Sequence, residues 1–169
     1  MPRSCTGRFA LAIRSKIPQH RLSFSGGHHV RRPADRSLPH AGFISTRWQD
    51  ADLNGQITSA AVYGFFDTVI QSWLASHGQI DPQEGEVVAF VVSSSCDFYA
   101  SAAFTDMLQV GLRVERFAGS TVEYEAALFD MSGKQLHALG RVVQVFIERN
   151  TGKPATFPQH LEAALSALT

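Results

Sequence analysis

Two aspartates in a short polar turn are the residues of this chain best placed to do chemistry. Asp50 and Asp52 stand in the sequence DADLNG, which ends at Gly55 and precedes the expected start of a long helix. A carboxylate beside a helix N-terminus lies near unpaired backbone N–H groups and the positive end of the helix dipole. Such a carboxylate can attack a polarised carbonyl carbon, or activate a water molecule to attack it. The turn is therefore a candidate site for acyl transfer.

Three other interpretations of this turn remain open from its residues alone. It could be a calcium loop, because Asp50, Asp52, Asn54 and Gly55 match the first, third, fifth and sixth positions of an EF-hand. Against this, Ala61 stands where that loop has its glutamate. The turn could be purely structural, because Asp and Asn side chains in turns commonly bond local N–H groups. It could also bind an anion or a carbonyl group at the helix end without any turnover.

A long helix is predicted over residues 58–77, directly after the turn. Its apolar residues recur at i, i+3, i+4 and i+7 and so form one stripe. The stripe consists of Val62, Phe65, Phe66, Val69, Ile70 and Trp73. Thr58 or Ser59 can cap the start of the helix, and Gly78 can end it in the left-handed conformation. A helix of roughly 30 Å, at about 1.5 Å per residue, needs a wide apolar surface to lie on.

The rest of the chain predicts that surface, a sheet of five strands. The predicted strands are 42–48, 86–99, 107–117, 121–130 and 136–148, and a short helix is predicted at 158–168. Most of the links are tight turns, which make neighbouring strands antiparallel. One helix on one face of such a sheet gives an α+β fold. The last strand is apolar on its second face as well, at Val143, Val145 and Ile147, which suggests that another subunit covers part of it.

Charge divides the 169 residues into an extension and one domain. Residues 1–40 hold eight basic residues and one acid, whereas residues 41–169 hold seven basic and fourteen acidic residues. We expect residues 1–40 to be a disordered basic extension. An organelle transit peptide, or a start codon assigned too far upstream, would give the same composition. The acidic domain at 41–169 has no basic stripe, which argues against nucleic acid as its partner.

The cysteines and glycines give no sign of a metal or a cofactor. Cys5 and Cys96 form neither a disulfide framework nor a metal-ligand spacing, and the chain contains no P-loop or dinucleotide glycine pattern. A reducing compartment fits this usage, so we expect a cytoplasmic protein, with organelle targeting by residues 1–40 as the alternative. No apolar run approaches the roughly 18 residues that a membrane-spanning helix needs, so we expect no membrane partner.

No other side chain competes well with the aspartates as a nucleophile. The serine run at residues 93–95 lacks the G-x-S-x-G elbow and falls within a predicted strand. Cys96 lies in the same strand and is interpreted as a small core residue. The isolated histidines, interpreted as packed or solvated side chains, are His77, His137 and His160.

A longer pattern surrounds the two aspartates. It consists of Arg47, Trp48, Asp50, Asp52, Gly55, Gln56, Ile57, Thr58, Ser59, Phe65, Phe66 and Asp67. It resembles the pattern of the hotdog-fold acyl-CoA thioesterases of the 4-hydroxybenzoyl-CoA thioesterase type. There an aromatic or basic pair precedes D-x-D-x-x-G-H-[VI]-N-N and a helix with an aromatic pair and an acid. Further matches are 97–99, Asp106, 119–120 and 149–154, so the resemblance covers about residues 43–165.

The resemblance implies a fold, an activity and a set of site residues. The fold would be a hotdog, with one long helix wrapped by a five-stranded antiparallel sheet and a short C-terminal helix. The substrate would be an acyl-coenzyme A, hydrolysed without a metal or cofactor in a homodimer or homotetramer with interface sites. Asp52 would be the nucleophile or general base, and the backbone N–H of Ser59 would polarise the thioester carbonyl. The residues implied in substrate binding are Gly55, Gln56, Ile57, Thr58, Phe66, Asp67 and Ser120.

Several positions depart from the family pattern. Gln56 stands where the family often has His, and Thr58 and Ser59 stand where it often has Asn-Asn. Gln56 could orient substrate or water, but an amide cannot act as an acid or base at ordinary pH. These departures keep a second hypothesis open, a hotdog module that binds acyl-CoA without hydrolysing it. The pattern does not predict whether the acyl group is aliphatic or aromatic, since a pocket lined by Phe65, Phe66, Phe98 and Tyr99 would suit either.

Overall fold

The computed structural model describes residues 38–77, 81 and 83–169. The predictions for the basic extension therefore lie, up to residue 37, outside the described residues. The ordered fold already includes Leu38, whose side chain occupies the space that a Cβ on Gly111 would need. The first strand begins at His40, one residue before the predicted start of the domain.

The elements follow the predicted order closely. They are β1 (His40–Ser45), a 3-10 helix (Trp48–Asp50), α1 (Ser59–Ser76), β2 (Val87–Phe98), β3 (Met107–Ala118), β4 (Thr121–Asp130), β5 (Leu136–Glu148) and α2 (Gln159–Ala167). The predicted first strand, 42–48, is wrong at its end. The strand stops at Ser45 because the carboxylate of Asp50 accepts the N–H of Arg47 at 2.7 Å and bends the chain into the 3-10 helix.

All five strands form one antiparallel sheet in the order β1-β3-β4-β5-β2. The hairpins β3–β4 and β4–β5 follow from their tight turns. By contrast, β2 lies at the far edge beside β5, and the chain then crosses to β3. Strand β2 has a register irregularity between Val91 and Ser93, as at a β-bulge, which bends a strand.

Helix α1 lies on one face of this sheet, and its predicted apolar stripe packs into the hydrophobic core between the helix and the sheet. The stripe is buried together with Leu74. The hydroxyl of Thr58 caps the helix by accepting the N–H of Ala61 at 3.2 Å. The ring of Phe66 lies directly on Gly140 of β5, where a Cβ would clash with it. The architecture confirms the hotdog arrangement of one long helix against a five-stranded antiparallel sheet.

The opposite face of the sheet is more polar than the sequence suggested. Glu123 is buried there, accepts from Arg116 at 2.7 Å and pairs with Arg141. Val143 and Val145 on the same face are half-buried. Coverage of this face by another subunit stays a prediction. Neither described helix is long and apolar enough to cross a membrane.

Candidate functional site

The carboxylate of Asp52 is held by the turn in which it stands. One oxygen, Oδ1, accepts the backbone N–H groups of Asn54 at 2.8 Å and Gln56 at 3.0 Å. The backbone closes the same turn, because the N–H of Asp52 donates to the carbonyl of Gln56 at 2.8 Å. The side chain is nevertheless exposed. The carboxylate therefore has a fixed position and remains open to an incoming molecule.

These N–H groups also fix the charge of the carboxylate. The hydrogen bond from the N–H of Gln56, followed by that from Asn54, holds the pKa of Asp52 below its usual 3.8. Asp52 is therefore ionised across the neutral range. An ionised carboxylate is what both a nucleophile and a general base require.

Asp50 has a different role at the start of the same turn. Its carboxylate accepts the N–H of Arg47, and its carbonyl accepts the N–H of Thr58 at 2.9 Å. Both aspartates thus bond backbone N–H groups, as the structural interpretation expects. Among residues 38–77, 81 and 83–169, no three acidic, histidine or cysteine side chains lie close enough together to hold a metal ion.

The turn is tied to the segment that follows β2. Gly55 has a φ of +75°, which favours glycine, and its carbonyl accepts the N–H of Phe104 at 2.8 Å. Gln56 pairs with Ala103, and the N–H of Ile57 donates to Ala102 at 2.8 Å. These bonds place the start of α1 beside the loop at residues 99–106.

The start of α1 offers free hydrogen-bond donors. Ser59 is the first helical residue, after the N-cap Thr58. The first N–H groups of a helix have no partner within it. The N–H groups of Ser59 and Ala60 also have no other acceptor in the described part of the chain. This end of α1 can therefore donate to a bound oxygen atom.

A cavity of about 320 Å³ opens at this helix end. Its wall consists of Ile57, Ser59, Val62, Phe98, Tyr99, Ala100, Ser101, Ala102, Leu128, His137 and Ala138. The volume is typical of a small-molecule pocket, and most of the residues in the wall are apolar. Of the expected pocket residues, Phe98 and Tyr99 line it, together with Ile57 and Ser59 of the predicted site. Phe65 and Phe66 do not line it, because both are buried in the core.

The other predicted site residues lie outside the wall. Asp52 belongs to the turn next to the cavity, with Gly55, Gln56 and Thr58. Phe66 is buried on Gly140, one helical turn beyond Val62, and Asp67 is exposed on the helix. Ser120 lies before β4, whose Leu128 lines the cavity. Leu128 lies seven residue steps beyond Thr121, roughly 23 Å along the strand, so Ser120 lies far from the cavity of its own chain.

His137 is a cavity residue that the sequence analysis missed. It lies at the start of β5, where the pairing with β4 shifts register, and only 8% of its surface is exposed. Its carbonyl accepts the N–H groups of Tyr99 at 2.8 Å and Ala100 at 3.2 Å. Its Nδ1 atom is buried without a partner in the described residues. The sequence carries no signal for this placement, because the strands meet only through the long-range fold.

Comparison with known proteins agrees with this architecture. Residues 46–165 match the model of the thioesterase-like superfamily. The PA5185 protein of Pseudomonas aeruginosa is 46% identical, with a TM-score of 0.73 over 77% of this chain and 91% of that one. No curated protein sequence matches the chain significantly.

More distant structures share the fold. The 1,4-dihydroxy-2-naphthoyl-CoA thioesterase Slr0204 of Synechocystis is 22% identical, with a TM-score of 0.67 over 75% of this chain and 94% of that one. The protein SAV2348 of Staphylococcus aureus, solved in complex with CoA, is 16% identical, with a TM-score of 0.68 over 75% of this chain and 80% of that one. With a family match over residues 46–165 and a relative of 46% identity, this chain belongs to the thioesterase-like superfamily.

Proposed function

We propose that this protein hydrolyses the thioester bond of an acyl-coenzyme A to a free acid and coenzyme A. The observation that carries the proposal is the cavity at the N-terminus of α1, with Ser59 in its wall and the Asp52 turn beside it. Membership of the thioesterase-like superfamily supports the reaction class. The CoA bound to the Staphylococcus aureus protein of the same fold supports coenzyme A as the carrier.

In the proposed reaction, the N–H of Ser59 binds the carbonyl oxygen of the thioester. Negative charge develops on this oxygen as the carbonyl carbon is attacked, and a backbone N–H at the positive end of a helix stabilises it. The donor needs no rearrangement, because it has no acceptor in the described part of the chain. Loss of one such donor costs about 10²- to 10³-fold in kcat in other acyl-transfer enzymes.

Asp52 supplies the attacking or activating group. As a nucleophile, its carboxylate oxygen bonds to the carbonyl carbon, the C–S bond breaks, and the thiolate of coenzyme A takes a proton from water. Water then hydrolyses the mixed anhydride to the acid and restores Asp52. As a general base, Asp52 takes the proton of a water molecule that attacks the same carbon, the C–S bond breaks, and Asp52 returns the proton to the thiolate of coenzyme A. The lowered pKa keeps the carboxylate ionised for either role.

The carboxylate of Asp52 and the N–H of Ser59 are close in sequence, which limits the distance between them. The carboxylate of Asp52 is 3.0 Å from the N–H of Gln56, and Ser59 follows Gln56 by three residues. Three residues span at most roughly 10 Å, so one thioester group can lie between them. We assign Ile57 to contact with the acyl group and the amide of Gln56 to orientation of substrate or water. Gly55 and Thr58 keep the turn and the helix cap in place.

We propose that the active form is at least a homodimer joined through β2. This strand pairs only with β5 among the described strands, so its outer edge is free. Phe90, Val91 and Val92 along it are 55%, 49% and 60% exposed. A long, exposed apolar edge favours pairing with another chain. The exposed residues Phe98 and Tyr99 at the end of this edge line the cavity, so a second copy here would also enclose the site.

Paired charge substitutions on the two edge strands test this interface. Val91→Lys places a charge on the β2 edge, and Phe43→Lys makes a matched change on the exposed β1 edge. We expect sedimentation to give a dimer or tetramer for the wild type and Phe43→Lys, and a monomer for Val91→Lys. A wild-type protein that sediments as a single chain at micromolar concentration would contradict the dimer.

One observation favours the second candidate, an acyl-CoA-binding module without turnover. Asp52 lies outside the cavity wall, and its carboxylate already bonds the N–H groups of Asn54 and Gln56. A binding module would use the same cavity and the same helix end. It would bind acyl-CoA and release no thiol.

Steady-state hydrolysis of a panel of aliphatic and aromatic acyl-CoAs, followed through thiol release, separates the two candidates. We expect catalytic turnover of at least one substrate, with kcat/KM in the ordinary enzymatic range of about 10⁴ M⁻¹s⁻¹ or above. Binding of the same compounds in calorimetry, with thiol release no faster than the uncatalysed rate, would establish the binding module instead.

A further inference from the structure

His137 is a buried polar group in an otherwise apolar part of the cavity wall. Its neighbours in the wall include Val62, Leu128 and Ala138, which are at most 5% exposed. The polar residues Ser59 and Ser101 of the wall are exposed. Among the described residues that line the cavity, His137 is therefore the one buried side chain that carries a hydrogen-bonding ring.

The Nδ1 atom of the imidazole lacks the hydrogen-bond partner that a buried polar atom needs. A neutral imidazole has one donor and one acceptor nitrogen. The side chain makes no hydrogen bond to the described residues, and its Nδ1 atom is shielded from solvent. A buried polar group without a partner destabilises the folded state, and native structures keep few of them. A bound molecule that bonds this ring would remove the penalty.

The position of His137 determines which part of a substrate it meets. In the function proposed above, the thioester carbonyl lies at Ser59, on the exposed side of the cavity. The acyl group then extends toward the buried residues Leu128 and Ala138, beside which His137 lies. A substrate bound in this way would place its acyl group next to the part of the wall that contains His137.

We infer that His137 is a specificity-determining residue that hydrogen-bonds a hydroxyl or keto group on the acyl chain. The inference rests on the proposed acyl-CoA site and names its substrate class: acyl groups that carry a polar substituent away from the thioester. A wholly apolar acyl group fills the cavity but leaves the imidazole unpaired. The cost of that unpaired ring reduces kcat/KM for the apolar substrate.

Matched substrate pairs test this inference. The pairs are benzoyl-CoA with its meta- and para-hydroxy derivatives, and hexanoyl-CoA with its omega-hydroxy and keto derivatives. In the wild type, we expect the best polar member to exceed its parent by about ten- to a hundredfold in kcat/KM, the range that follows from the cost of one unpaired buried group. His137→Leu should abolish this preference, and His137→Asn should restore part of it. His160→Leu, the same change on the exposed face of α2, should retain the full preference.

Binding measurements separate this inference from the proposed hydrolysis. The same acyl groups, attached to coenzyme A through a non-hydrolysable thioether, are compared in calorimetry. Tighter binding of the polar members to the wild type, lost in His137→Leu, supports the assignment even if no thioester is turned over. Equal affinity for polar and apolar members would overturn it, as would a preference that His137→Leu leaves unchanged. In that case His137 is a packed histidine of the core, whatever the hydrolysis assay shows.

Discussion

The polar turn at residues 47–58 and the cavity wall lie side by side but are built in opposite ways. In the turn, Asp50 and Asp52 bond N–H groups no more than four residues away. In the wall, Phe98, Leu128 and His137 come from three strands that meet only in the folded sheet. In the proposed function, the reacting groups therefore depend on a local motif, and the choice of acyl group depends on long-range packing. Changes in the turn should alter rate, and changes in the wall should alter specificity and stability.

Asp52→Asn should have the largest effect of any change in the turn. The amide oxygen of Asn can still accept the N–H groups of Asn54 and Gln56, so the turn should keep its shape. The reacting charge is lost, and kcat and kcat/KM should fall together by about 10²-fold or more, the size expected for a positioned general base. Thiol-release kinetics measure the fall, and calorimetry should show that acyl-CoA binding persists.

Asp50→Asn is the control within the same turn. Within the described part of the chain its carboxylate bonds only the N–H of Arg47, so its loss should reduce activity less than that of Asp52. Hydrolysis by Asp52→Asn at nearly the wild-type rate would mean that the turn has only a structural role.

Gly140→Ala should destabilise the packing that supports the wall. The new methyl group would clash with the ring of Phe66, which is fully buried between α1 and β5. Overpacking of this kind typically costs about 1–3 kcal/mol of unfolding free energy. Gly64→Ala is the matched control, because a Cβ there meets nothing within 4 Å. It should stabilise the helix by roughly 0.5–1 kcal/mol. Urea unfolding measures both, and equal midpoints for the two variants would contradict this packing.

Of the changes considered, a decrease in pH should have the smallest effect, a modest loss of stability. Asp52 has its pKa lowered chiefly by the N–H of Gln56, Asp81 by that of Glu84, and Asp130 by the hydroxyl of Ser132. Each is ionised at a lower pH in the folded chain than in the unfolded chain. The unfolded chain therefore binds more protons in acid, and stability falls as pH decreases below about 4.

Chemical denaturation at a series of pH values measures this dependence. Because the three carboxylates are exposed, the loss should be modest. A variant with all three changed to Asn should lose less stability on acidification than the wild type. An identical pH dependence in the variant would show that these carboxylates do not contribute.

Much of the fold could be predicted from the sequence because its periodicities are local. The apolar stripe of α1 and the alternating apolar pattern of β3 and β4 predict the ends of these elements to within a residue or two. The place of β2 beside β5 could not be predicted, because strand pairing depends on contacts far apart in the chain. The first strand was predicted too long, because its end depends on the hydrogen bond between Asp50 and Arg47.

For the site as well, the residues adjacent in sequence could be predicted, and those that come together only in the fold could not. The turn and Ser59 are adjacent in sequence and form the helix start as expected. Asp67 and Ser120 match the family pattern but lie away from the cavity of a single chain, so their roles stay predictions. His137 stands alone in the sequence and enters the wall only because β5 lies between β4 and β2. The cytoplasmic location and the role of residues 1–40 also stay predictions.

The comparison of Ser59→Pro with Ser59→Ala tests the central claim most directly. Ser59 is the first residue of α1, where proline is well tolerated, and Thr58, with φ −75° and ψ 154°, suits a residue before proline. Proline removes the N–H, whereas alanine removes only the hydroxyl. With both variants folded by thermal melting, we expect kcat of Ser59→Pro to be about 10²- to 10³-fold below that of Ser59→Ala. Equal thiol-release rates for the two variants would contradict polarisation of the thioester by the start of α1.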